Sequence, residues 1–364
     1  MQYPTRRSAL AVPGALLLSL VLAGQVLATS WSGPIPLTSS GGGFAEDVVS
    51  LGGSTAVAGY LEWNGSWYNV TVRRTTDGGA TWAAPQILST NGYPMALGGR
   101  GSFVDIVWTE NNRVRYARST NGGVSYGAAM ALTGGSQWKS NLSVARGPNG
   151  LVIVGWQNYN AAIVKARVSM DGGVSFGPTV TISPNVDLGT SVAAGNGVVY
   201  VAYALDYSTL QVKRSTDGGA TWTTCTITTS AFAVLGNFAI TAEGRNAFLA
   251  YTVDNAHYPA WGAVKVRRTT NKGASWSSEA NLAAPRWKTW EPDISLQNGV
   301  AHAVFTRRGT PNRVYYRRSS DGVTWTAPEL VVSGGYEASV ARASKVIVLY
   351  RVGTGNAFVK TGTP

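Results

Sequence analysis

The chain has 364 residues, with 30 Lys+Arg against 18 Asp+Glu for a formal net charge of +12, yet only 13% of residues are charged. That is about half the usual share of a soluble domain. Few charges with 13 Trp and 16 Tyr exclude a disordered chain, and the lone Cys225 excludes an internal disulfide framework or a multi-cysteine metal site. Two histidines, His257 and His302, leave little for a histidine-rich metal centre, and no motif implies a cofactor. Long Ala/Glu/Lys/Leu blocks are missing, so the length reads as one large all-β domain or a few smaller ones.

Arg6 and Arg7 precede an apolar stretch from Ala9 to Ala23, and Val26-Leu27-Ala28 offers small residues at a cleavage spacing. Residues 1–28 therefore read as a secretory signal peptide, which places the mature chain, 29–364, outside the cytoplasm. The apolar core of about 15 residues is short of the ~20 that a spanning helix needs, and no later stretch is apolar enough.

The rest of the chain is an array. An octapeptide reads Thr75-Thr-Asp-Gly-Gly-Ala-Thr-Trp82 and recurs as Ser119–Tyr126, Ser169–Phe176, Ser215–Trp222 and Thr269–Trp276, with a copy one residue short at Ser319–Trp325. Its Asp or Asn (Asp77, Asn121, Asp171, Asp217, Asn271, Asp321) suits a turn whose side-chain oxygen binds backbone N–H groups two or more residues on. Gly supplies positive φ, and the closing aromatic is expected to fold back between sheets. A site needs such an acid once, whereas six copies fit architecture.

Before each box an alternating apolar run ends in an aromatic: Tyr60, Trp108, Trp156, Tyr203, Tyr251, Phe305 and Tyr350. Their spacings of 48, 48, 47, 48, 54 and 45 residues make seven units. Each unit reads as four strands. In the third these are 141–146, 151–156, 163–169 and 178–183. The spacing predicts an all-β propeller of seven four-stranded blades, with six blades and irregular ends as the alternative. Thr29-Ser30-Trp31-Ser32-Gly33-Pro34 looks like the tail of a box, so the first strand is expected to complete the last blade.

The octapeptides are Asp-boxes, or BNR repeats, and with them the mature chain resembles the sialidase-like Asp-box propellers. That group includes sialidases, other glycan-active enzymes, lectin-like binders and assembly factors, so the fold does not name the function. Sialidases are six-bladed and use three arginines, a Tyr–Glu nucleophile pair and an acid/base Asp. Their first arginine sits in an Arg-Ile-Pro motif before the first repeat. Here that region reads Gly43-Phe-Ala-Glu-Asp-Val48, Arg-Ile-Pro is not found, and the arginine triad cannot be carried to any position.

The resemblance implies a ligand face opposite the boxes, on the loops joining strands two to three and blade to blade. Those loops hold Trp63, Trp67, Tyr68, Trp138, Trp261, Trp287 and Trp290, with Tyr93, Tyr159, Tyr207, Tyr258 and Tyr336. Aromatic faces suit the apolar faces of sugar rings. Polar partners are at hand in Lys139, Asp206, Asp254, His257, Arg286 and Lys288. An acid pair for glycoside hydrolysis would come from Asp47 (or Glu46), Glu62, Glu110, Glu291 and Asp293. His302 falls in a strand and is expected to be packed.

The expected protein is an exported, monomeric glycan-binding propeller whose ligand is a glycan or other cell-surface polymer. Alternatives are a glycoside hydrolase and a protein-interaction scaffold. Basic residues cluster before each box (for example Arg73 and Arg74, Lys213 and Arg214, Arg317 and Arg318), forming a rim compatible with anionic polymers. Nucleic acid ranks last, prompted only by charge.

Overall fold

The computed structural model describes residues 29–38, 42–186, 188–206, 208–229, 234–253, 262–283 and 289–363. The expected leader, residues 1–28, lies outside them, as do Tyr207, residues 254–261 and residues 284–288. Seven antiparallel sheets in up-and-down order form seven blades. Their first strands are Gly43–Gly52, Met95–Arg100, Lys139–Arg146, Leu188–Gly195, Val234–Glu243, Thr289–Gln297 and Gly335–Arg342. Each packs on the first strand of the next blade, and the seventh packs on the first, so these strands line a central channel. The six-bladed alternative falls. Strand bounds in blade three shift by one or two residues from those expected, to Lys139–Arg146, Val152–Asn158, Ile163–Ser169 and Val180–Ser183.

The chain ends meet in blade seven. Its last strand, Asn356–Thr363, carries two short N-terminal strands on its outer edge, with Trp31 opposite Gly362 and Ile35 opposite Val359. Closing the ring leaves only short edges for each sheet. Trp31 behaves as the aromatic of a box: it meets Tyr316 edge-on at 5.5 Å between blades six and seven. Trp82 occupies the matching place between blades seven and one. Trp31→Ala removes a partly buried ring from this closure. We expect a loss of about 2 kcal/mol, below the 3–5 of a fully buried Trp, read as a lower urea midpoint at unchanged slope.

The seven periodic aromatics are each at most 1% exposed and fill the wedges between blades. The box side chains are absorbed by their own turns. Asp77 Oδ1 accepts from Thr81 N at 2.9 Å and Thr75 Oγ1 at 2.7 Å, while Gly79 N donates to Thr75 Oγ1 at 3.0 Å. Asn121, Asp171, Asp217, Asn271 and Asp321 repeat the core of this pattern. Gly78 and Gly79 take φ of 73° and 89°, which a side chain would resist. The turns rest on the hairpins joining strands one and two, as Gly78 N donates to Ser54 O at 2.8 Å.

The basic stripe before each box has a use the sequence did not disclose. Arg74, Arg118, Arg214 and Arg268 each reach a carbonyl in the box of the following blade: Gly122, Gly172, Lys272 and Asp321. Arg167, Lys213, Arg317 and Lys360 reach back to Leu132, Ile182, Leu282 and Val331 on the outer part of the preceding blade. Charge-assisted bonds to carbonyls staple one blade to the next. These eight basic heads are thus tied to the neighbouring blade.

Candidate functional site at the channel mouth

Two cavities meet end to end in the channel. One, of about 550 Å³, opens on the box face, and the other, of about 560 Å³, opens on the opposite face. Asp47, Ser143, Ser191, Ala239 and Asp293 line both, so they mark a waist. Register explains it. In all seven blades the residue at this level stands opposite the one that precedes the periodic aromatic: Asp47 faces Gly59, Ala96 faces Val107, Ser143 faces Gly155, Ser191 faces Ala202, Ala239 faces Ala250, Asp293 faces Val304 and Ser339 faces Leu349.

These side chains form a belt. Ser143 Oγ accepts from Val192 N (3.0 Å), Ser191 Oγ from Ile240 N (3.2 Å) and Ser339 Oγ from Val48 N (3.2 Å), each time from the next blade's inner strand. Asp47 Oδ2 accepts from Leu97 N at 3.2 Å and Asp293 Oδ2 from Val340 N at 2.7 Å in the same manner. Ser339 Oγ also donates to Asp47 Oδ1 at 3.0 Å.

Just outside the belt the inner strands bulge. The register breaks at Ala45/Asp47, Ser140/Ser143, Leu188/Ser191, Trp290/Asp293 and Tyr336/Ser339. Asn141, Glu291 and Glu337 there take left-handed φ of 49°, 51° and 49°. A bulge re-aims a side chain, and here Glu46, Asn141, Glu291 and Glu337 line the mouth cavity.

The mouth is two-sided. Blades six, seven and one contribute carboxylates. Glu291 accepts from Glu337 N at Oε2 (3.1 Å), and its Oε1 lies 3.9 Å from Arg308, whose guanidinium covers the Trp290 ring at 3.7 Å. Glu337 pairs with Arg351 at 3.0 Å, and Arg351 sits over the Phe44 ring at 4.3 Å. Blades one to three contribute aromatics: Trp63, Tyr68 and Phe44 meet edge to face, and Tyr93 stacks on Trp138 at 6.3 Å. Tyr159, 65% exposed, closes the cavity on that side. Glu46 stands where the arcs meet. Burial, then the charges of Glu337 and Asp47, push its pKa up to about 8 against the pull of Arg351. Burial and the charge of Asp293 push Asp47 up to about 7. Burial also raises Asp293, and it raises Glu291 against the bond from Glu337 N.

Of the expected site residues, Trp138, Asp47, Glu291 and Asp293 line this mouth, and Tyr68 and Trp63 extend its aromatic arc. Trp67 is exposed in the adjoining loop, and Trp290 lies under Arg308, off the cavity wall. Trp261, Trp287, His257, Asp254, Arg286 and Lys288 lie outside the described residues. Glu110 does not reach the mouth. It accepts from Ser89 Oγ on the outer strand of blade one (2.8 Å) and from Trp108 Nε1 (3.0 Å) and Arg115 (3.3 Å) of its own blade; burial alone would raise its pKa, but these bonds lower it. Glu62 is not on the cavity wall either. Lys139 is buried, with Nζ on Gln137 O at 2.5 Å, and Asp206 caps a turn through Ser208. His302 is packed as expected, its Nδ1 2.7 Å from Tyr316 Oη. Sequence reasoning passed over Glu337, Ser339, Asn141 and Arg351. Their signal was the Asp/Ser found at 47, 143, 191, 293 and 339, in step with the aromatics.

No protein-family model and no curated protein sequence matches the chain. Solved structures do. The BP39L lectin from Burkholderia pseudomallei is 11% identical with a TM-score of 0.64, over 87% of this chain and 95% of that one. A PL25 ulvan lyase bound to -[GlcA(1-4)Rha3S]- is 11% identical at TM-score 0.57, over 88% and 94%. YCF48 bound to D1 peptide is 14% identical at TM-score 0.56, over 92% and 96%. A Hadza microbial sialidase and that of Trypanosoma rangeli also match at 13% identity and TM-score 0.53, but this chain spans only 63% and 58% of their lengths. The likeness lies in the propeller fold, as the boxes led one to expect.

Proposed function

We propose that the protein is an exported glycan-binding propeller and that the sugar seats in the mouth opposite the Asp-boxes. One observation carries this: a cavity of about 560 Å³ with the stacked pair Tyr93 and Trp138 on one wall and Glu46, Glu291 and Glu337 on the other. Aromatic faces take the C–H face of a pyranose, while carboxylates and Asn141 take its hydroxyls. A lectin and a polysaccharide lyase among the structural neighbours support the reading. Titration of oligosaccharides against intrinsic Trp fluorescence tests it. Trp138→Ala is expected to weaken binding by about ten- to a hundredfold, the cost of losing a central aromatic anchor. Equal affinity in the variant would remove Trp138 from the site.

A hydrolase reading is favoured by one feature. Glu46 holds its proton near neutral pH beside the Arg351-paired Glu337, which is the division of labour of an acid and a charged partner in glycoside cleavage. Release of new reducing ends from a bound oligosaccharide, abolished in Glu46→Gln, would raise this reading above simple binding.

A further inference from the structure

We propose that the mouth selects a sugar carrying a free amine, with the ammonium received by the Asp47–Asp293 pair at the channel waist. This rests on the glycan reading above. The blades differ at the belt. Ser143, Ser191 and Ser339 show that a neutral hydroxyl suffices to hold the next blade's N–H. Blades one and six use Asp for the same bond. A carboxylate at such a place adds buried charge and no further bond to a neighbouring blade's backbone, which costs stability unless a cation answers it.

Among the described residues none answers it. Glu337 and Glu291 have Arg351 and Arg308, but no Lys or Arg forms an ion pair with Asp47, Asp293 or Glu46. The two acids share Ser339 between them, with Glu46 next along the strand. Thr190 stands on the cavity wall next to Ser191, 8% exposed, and among the described residues its hydroxyl has no partner. An ammonium has three donors and no acceptor, which fits carboxylate oxygens, while its sugar ring rests on the Tyr93–Trp138 side. A uronic or sialic acid would instead bring a carboxylate to a wall whose Arg308 and Arg351 are already paired with Glu291 and Glu337. Crowding and burial have already raised Glu46 and Asp47 to about 8 and about 7, so an arriving ammonium displaces protons.

The test is calorimetry on the whole chain at about pH 6 with three probes: a glucosamine tetramer, its fully N-acetylated counterpart and a tetragalacturonate. The expected order is glucosamine, then N-acetylglucosamine, then galacturonate, with about tenfold or more at the first step, as for a desolvated charge pair. Repeating the glucosamine titration in buffers of different ionisation enthalpy at about pH 7 should reveal proton release. Asp47→Ser with Asp293→Ser copies the serine blades and keeps the belt bonds. It should lower glucosamine affinity to that of the N-acetylated probe, while Trp138→Ala lowers both. Equal affinity of the two wild-type complexes overturns the amine inference and leaves the glycan reading standing. Binding of none of the probes overturns both. Tighter binding of a lysine-rich peptide than of glucosamine tetramer, lost in the serine variant, also overturns both and makes the waist a protein-docking site.

Discussion

Alanine at Arg146 is expected to lower the unfolding free energy by about 3–5 kcal/mol, because it strands a carboxylate inside the protein. Arg146 stands on the inner strand of blade three. Its Nε and Nη2 bind Asp105 Oδ2 and Oδ1 of blade two at 2.5 and 2.7 Å. Asp105 is 0% exposed and also accepts from Tyr116 Oη at 2.5 Å. The guanidinium lies over the Phe103 ring at 4.7 Å and reaches Gly172 O in the blade-three box, which Arg118 binds as well. The pair therefore joins two blades and a box in one network. It is not needed for burial as such. Register puts Asp105 opposite Arg118 and, one blade on, Ile153 opposite Val168, so an apolar residue fills the equivalent place. Asp105→Ile combined with Arg146→Met should then recover most of the loss, to within about 1–2 kcal/mol of the wild type. Urea unfolding of the two singles and the double measures this. Additive losses in the double variant would show that the cost comes from packing and not from the orphaned charge.

The fold was legible because it is repeated. Six boxes and seven aromatics at a steady interval give blade number and strand order, and even the Thr29–Pro34 fragment reads as the missing tail of a blade. Secondary structure enforces this at short range through turns whose residues are chemically constrained. The site was legible only in part, since a site is where repeats differ. Asp47 and Asp293 stood out as loop acids, but so did Glu62 and Glu110, and nothing local tells a mouth acid from one held off the channel, as Glu110 is by Ser89 and Trp108. The separating feature is the bulge before the belt, which turns Glu291 and Glu337 by left-handed φ toward the channel. It depends on pairing between strands and leaves no mark in composition. The stapling role of the basic stripe was illegible for the same reason: Arg74 and Arg214 meet their carbonyls only once the next blade's box is placed beside them.

Serine at position 47 is expected to stabilise the protein, and only above mildly acidic pH. Asp47 is held at a pKa of about 7 in the fold against an ordinary 3.8, chiefly by burial and secondarily by Asp293 across the waist. Glu46 lies on its own strand, and the Glu337–Arg351 pair on blade seven flanks Glu46. Because the folded value is the higher one, the native state binds this proton more tightly than the unfolded chain. Below about pH 4 both states are protonated and the native fold keeps the full benefit. As pH rises to about 7 the unfolded chain ionises first, and that benefit drains away; above it the loss is complete. Asp47→Ser escapes the loss while keeping the bond to Leu97 N, as Ser143 does for Val192. The gap between about 7 and 3.8 corresponds to about 2–4 kcal/mol at pH 8. Melting curves of wild type and variant should therefore nearly coincide at about pH 4 and separate by several degrees at about pH 8. A constant offset across that range would mean the carboxylate is not penalised by its surroundings. If the separation appears and the glucosamine preference vanishes in the same variant, blade one carries an acid that the ring would be more stable without, and its use is to hold the ligand.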